Sequence, residues 1–89
     1  MYTQQELAAI DQSYFAVIVA DEYDVTLMSL NTRHMWQLHN VELPDGEVTV
    51  VFHKHKASHP YHLHGRTNTL HQAVRGIRRH DKWQMNGRR

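Results

Sequence analysis

The sequence predicts an α+β fold of order α-β-β-β-β-α, an antiparallel meander with both helices on one face of the sheet. Three observations lead there. Four runs rich in β-branched and aromatic residues, near 14–20, 25–30, 34–39 and 47–53, are separated by short polar turns. Those connections are too short for the crossovers that parallel strands need, so consecutive strands pair antiparallel. Helical signals flank the strands on both sides, with a capping pattern before them and an apolar stripe of period 3.6 after them. At 89 residues the chain is expected to form one domain, 1–89, with a frayed tail from about residue 84.

The first element is a short helix over about 4–12. Thr3-Gln4-Gln5-Glu6 is a capping box, with Thr3 as N-cap and Glu6 reaching back to its amide, and Leu7 and Ile10 are the residues to bury. Tyr14 to Ala20 is apolar on both faces, which predicts a strand interior to the sheet or covered on its second side. Asp21 to Asp24 is a turn, and Val25 to Leu30 the second strand. Asn31-Thr32 reads as a two-residue hairpin loop. In the strand from His34 to His39, Trp36 and Leu38 mark the buried side. Leu43-Pro44-Asp45-Gly46 is a turn, and Glu47 to His53 a fourth strand with Val48, Val50 and Phe52 on one face. Residues 54–66 read as irregular. Thr67 or Asn68 caps a final helix to about residue 83, whose core stripe is Leu70, Ala73, Val74 and Ile77. Gly76 weakens that helix by up to about 1 kcal/mol relative to Ala. The second face of the sheet, with Thr26, Met28, Leu30, Gln37 and Val51, is mixed and apolar enough to suggest a homodimer interface.

The formal charge of +1 conceals a segregation. Residues 1–52 hold eight acids and one base, Arg33; residues 53–89 hold nine bases and one acid, Asp81, together with seven of the nine histidines. A basic segment attracts polyanions or acidic partners. With no cysteine, the chain has no disulfide framework, thiolate zinc finger, Fe–S cluster or cysteine nucleophile, and the composition fits a cytoplasmic protein. The longest run without a polar residue, Tyr14 to Ala20, is far short of a membrane span, and no signal-peptide pattern opens the chain.

Two groups of residues carry candidate chemistry. His53, His55, His59, His62 and His64 fall within twelve positions. In an H-x-H pair on an extended strand both imidazoles point to one side, so His53/His55 and His62/His64 could supply four nitrogens to Zn²⁺, Ni²⁺ or Cu²⁺. Against such a site, Lys54 and Lys56 interleave the first pair, and no carboxylate between Glu47 and Asp81 is available to orient a ligand. The second group is basic. Arg75, Arg78, Arg79 and Lys82 lie on the outer face of the last helix, preceded by Lys54, Lys56 and Arg66, and can track phosphates.

Several resemblances accompany these residues. His59-Pro60-Tyr61-His62-Leu63-His64-Gly65 resembles the copper motif of multicopper oxidases, but those enzymes also require a cysteine ligand, which this chain lacks. The order of elements resembles the double-stranded-RNA-binding domain with an extra strand; Arg66 and His71 stand where that family places lysines at its last helix. Thr32-Arg33-His34-Met35-Trp36, with Glu47 to Val50 and Thr69-Leu70, resembles HicA-type toxin ribonucleases, a likeness that implies His34 as a metal-independent catalytic residue. Tyr23-Asp24-Val25, Asn31-Thr32, His34, Trp36, His53-Lys54-His55, Pro60-Tyr61-His62 and Ile77-Arg78 with His80-Asp81 resemble small uncharacterised proteins on integrative and conjugative elements of Gram-positive bacteria. That likeness implies a cytoplasmic accessory protein. No G-x-S-x-G, P-loop, G-x-G-x-x-G or H-E-x-x-H motif occurs. The sequence therefore favours a non-enzymatic accessory module that contacts nucleic acid or an acidic protein through its basic helix. The alternatives are a histidine-rich metal-binding protein and a histidine ribonuclease.

Overall fold

The computed structural model describes residues 1–87. Its elements are α1 (Gln4–Ala8), β1 (Phe15–Ala20), β2 (Asp24–Ser29), β3 (Met35–Leu43), β4 (Gly46–Lys54), β5 (His62–Thr67) and α2 (Leu70–Met85). The strands pair antiparallel in sequence order, β1-β2-β3-β4-β5, and both helices cover one face. The expected α+β meander is present, with a fifth strand where an irregular segment was expected.

Thr3 makes its capping box with Glu6, but α1 ends at Ala8, four residues early. Asp11 Oδ1 accepts from the amide and hydroxyl of Ser13, so a side chain turns the backbone out of the helix and drops Ile10 into the core. β1 is not interior as its composition predicts. A meander leaves its first strand at the edge, and a bulge between Val17 and Val19 leaves Ile18 and Val19 exposed. Such a bulge twists an edge away from foreign strands. The β2–β3 loop is longer than the expected pair: Leu30 to Arg33 lie between Ser29 and His34, which are joined by a backbone hydrogen bond, and Arg33 takes a left-handed conformation (φ 64°).

The most consequential difference lies in β4. Its apolar trio Val48, Val50 and Phe52 faces away from the helices, and Thr49, Val51 and His53 face the core. The β3–β4 hairpin explains this. Leu43 pairs with Gly46 across the Pro44-Asp45 turn, which needs Gly46 at φ +138°, and that register sets Trp36 opposite His53, Leu38 opposite Val51 and Asn40 opposite Thr49. Trp36 and Leu38 are fully buried, so parity carries their partners inward with them. Val51 is therefore a core residue, not part of the second face. Two of the buried polar side chains find partners, with Tyr2 Oη 2.8 Å from Thr49 Oγ1 and Trp36 Nε1 donating to Ser29 Oγ, whereas Asn40 Oδ1 is buried with no hydrogen-bond partner among the described residues.

β5 escaped notice because its only large apolar residue, Leu63, is 65% exposed. Backbone pairing to β4 forms the strand, and His64 bulges where the register shifts between Val51 and Phe52. α2 starts one turn-residue later than expected. Thr69 is its N-cap and accepts from the Gln72 amide; Thr67 belongs to β5, and Asn68 N–H donates to Gln72 Oε1. The helix runs two residues past its expected end, and of the tail expected to fray, Arg88 and Arg89 lie outside the described residues. Its buried stripe is Leu70, Ala73, Ile77 and, unexpectedly, Asp81.

Asp81 is fully buried. Its two oxygens accept from Tyr14 Oη at 2.8 Å and Thr32 Oγ1 at 3.1 Å, tying α2 to the start of β1 and to the β2–β3 loop. Burial, and then the hydrogen bond to Asp81, raises the Tyr14 pKa above its ordinary value. Asp81→Ala would strand both hydroxyls and should cost about 2–4 kcal/mol in urea denaturation. Asp45→Ala, in an exposed turn, should change stability by less than about 0.5 kcal/mol.

Candidate metal centre

The core face of the sheet gathers histidines around Trp36. Three elements contribute: His34 immediately precedes β3, His53 lies on β4, and His80 lies on α2. One ring nitrogen from each lies within 4.8 Å of the other two. His34 and His53 are buried and His80 is half-buried. His53 Nε2 sits 3.0 Å from His34 Nδ1, so one of the two donates a proton to the other. His80 Nδ1 is buried without a hydrogen-bond partner among the described residues. Trp36 stacks on His53 with centroids 3.9 Å apart and meets His80 edge-on at 5.2 Å.

A second tier surrounds this triad. The His55 ring stacks on His34 at 4.4 Å, and His64 lies 5.5 Å from both His53 and His80. His62 contacts the His53 ring at 5.3 Å. Of the four ligands expected from sequence, His53 belongs to the triad, and His55, His62 and His64 stand around it. His34 and His80 were missed as ligands because they lie 19 and 27 residues from His53, and no local spacing links them. The signal that could have found His34 is hairpin arithmetic: once Trp36 pairs with His53, the residue two before Trp36 shares their face.

Burial disfavours the charged form of three of these histidines. The His53 pKa is pushed down to about 3, first by desolvation and then by the neighbouring His80, His34, His55 and His64. His64 and His80 are also lowered, mainly by burial, although Asp81 pulls His80 the other way. Neutral imidazoles keep a lone pair for coordination. The interleaved lysines do not oppose a cation here. Lys54 lies on the opposite face of β4 from His53, with Nζ 4.4 Å from the Tyr61 ring centre and donating to the Ala57 carbonyl, and Lys56 is exposed in the turn beyond.

The basic residues separate. Arg66, Arg75 and Arg79 line one cleft beside β5. Arg78 instead lies over the Tyr14 ring at 4.4 Å, with Asp11 at 3.7 Å, and Lys82 lines a different cleft with Arg78 and Arg79. Lys54 and Lys56 line neither. The second face of the sheet carries Met28, Met35, Val50 and Phe52, all half-buried. Among the described residues, no helix is long and apolar enough to cross a membrane. Comparisons with protein-family models, curated proteins and solved structures returned no match.

The sign of the pH dependence follows from His53. Its folded pKa lies below the unfolded value near 6.5, so the unfolded chain takes up the proton first as pH falls. Stability of the metal-free protein should be level above about pH 7 and decline below about 6.5, by up to about 1.4 kcal/mol per pH unit from this group. Urea denaturation in EDTA between pH 7 and 5 measures it. A flat profile would contradict a buried neutral His53.

Proposed function

We propose that this protein binds a divalent transition-metal ion through His34, His53 and His80. The observation that carries the reading is the convergence of three imidazole nitrogens from three elements, and His80 has in addition a buried Nδ1 with no hydrogen-bond partner among the described residues. An all-nitrogen set suits Zn²⁺, Ni²⁺ or Cu²⁺. Around Zn²⁺, with Zn–N of about 2.0–2.1 Å, tetrahedral ligand nitrogens stand about 3.3 Å apart. The His34–His53 separation of 3.0 Å is already close to that, and a ring adjustment of His80 closes the remainder. The ion would replace the proton shared by His34 and His53. Three protein ligands leave a fourth position for water, His55 or His64.

The ribonuclease reading centres on the same His34. The residue is 6% exposed and its ring is engaged by His53, a setting that suits a ligand better than a proton shuttle reaching a substrate. The acidic residue nearest in sequence to the triad, Asp81, has its oxygens engaged by Tyr14 and Thr32 and stays out of the proposed ligand set.

Isothermal titration of tag-free protein with Zn²⁺ should give one equivalent. His80→Gln should weaken binding on the order of 100-fold or more while leaving the circular-dichroism spectrum unchanged, because His80 is half-buried on a helix. Co²⁺ in place of Zn²⁺ should show the visible absorption of a nitrogen-rich tetrahedral site. Binding unaffected by His80→Gln but abolished by the pair His62→Ala/His64→Ala would move the site to the loop histidines and reject this triad.

A further inference from the structure

Two adjoining clefts lie along the seam between β5 and α2. The outer part is a cleft of about 440 Å³ whose walls carry Arg66, Arg75 and Arg79, with Asn68 and Gln72 at its end. No acidic residue lines it, and none of the three guanidiniums forms an ion pair among the described residues. The inner part is a slot of about 150 Å³ with an apolar floor of Val51, Ala73 and Ile77. Arg66 and Thr67 border both parts, so one ligand can occupy them together.

Two glycines line the slot, Gly65 on β5 and Gly76 inside α2. A Cβ built on either meets nothing within 4 Å. Neither glycine is therefore required by a close backbone approach, and Gly76 occupies a helix interior where alanine is the stronger helix former. What the glycines provide is the volume between helix and strand. Side chains at either position would project into open space, and at Gly76 the chain forgoes helix stability while the slot stays open.

We propose that this seam binds a nucleotide, with its phosphate on Arg66, Arg75 and Arg79 and a pyrimidine base in the slot. Planar guanidiniums match phosphate oxygens in pairs, and three of them suit a phosphate better than a single carboxylate. A slot near 150 Å³ with an apolar floor is of the size that holds one aromatic ring, which favours the smaller, single-ring bases. The ligand is a pyrimidine nucleoside phosphate, free or at the end of a strand. None of the triad histidines lines the seam, although His64, which stands 5.5 Å from His53 and His80, borders the slot; metal-free protein is therefore the form in which to test it.

The test uses the full chain in EDTA and follows titrations by NMR or calorimetry with UMP, AMP, inorganic phosphate and a short oligouridylate bearing a terminal phosphate. UMP should bind at least tenfold more tightly than AMP or inorganic phosphate. Arg75→Gln and Arg79→Gln should each weaken UMP and phosphate together by about tenfold. Gly76→Val should reduce UMP to the affinity of phosphate; if that variant loses helicity, Gly65→Ala serves the same purpose. Equal affinity of UMP and the oligouridylate identifies a free nucleotide, and tighter oligouridylate binding that Gly76→Val still weakens identifies a strand end. UMP binding no tighter than phosphate would overturn the proposal. So would oligouridylate binding that falls steeply with salt and ignores Gly76→Val, which would assign the arginines to a polyanion track without a base site.

Discussion

The stacking of Trp36 on His53 is the contact around which the molecule is arranged. Trp36 is the largest fully buried side chain, and its ring meets His53, His64 and His80 from β4, β5 and α2. A buried indole removes a large apolar area from water, and its N–H must find a partner, here Ser29 Oγ. The turn at Pro44-Asp45 sets the pairing that brings His53 to it. Shifting that hairpin by one residue would send His53 to the open face and bring Phe52 inward, so the register that builds the core also builds the histidine cluster.

Burying imidazoles together has an electrostatic consequence. A positive charge there would have to be desolvated, and on His53 beside other imidazoles, so His53, His64 and His80 resist protonation. The counterweight lies on the next residue along α2. Asp81 is held by Tyr14 and Thr32, fixing the rotation of the helix and with it the direction of His80. A small domain has limited apolar area to stabilise it, and these two hydroxyl–carboxyl bonds fasten α2 where the last apolar contact, Ile77, is a full turn behind. The same helix presents opposite characters on its two sides, His80 and Asp81 toward the sheet and Arg75 and Arg79 toward the β5 cleft. The basic second half of the sequence thus places on one helix a buried carboxyl and an imidazole facing the sheet and arginines on the outer side.

Much of this was legible one element at a time. The Thr3–Glu6 capping box, the turn at Asp21, the buried side of β3 and the Leu70-Ala73-Ile77 stripe each depend on residues within a few positions of one another. β5 was not legible, because an edge strand formed by backbone pairing leaves little trace in side-chain pattern. The face of β4 was misread because Val48, Val50 and Phe52 are the more apolar set. Hydropathy ranks side chains one by one, and here the rigid pairing with β3 outweighed that ranking.

By itself, the sequence determined the class of fold, the antiparallel order of the strands and the location of cations and histidines in its second half. These follow from short-range periodicity, capping and turn chemistry, which act between near neighbours. The tertiary structure decided which histidines meet and which arginines share a cleft. His34, His53 and His80 come together only when a hairpin register and the rotation of a helix are set at once, and both depend on contacts between residues tens of positions apart. Local pattern places a residue on one side of its own element, and only packing settles what stands on the other side of the gap.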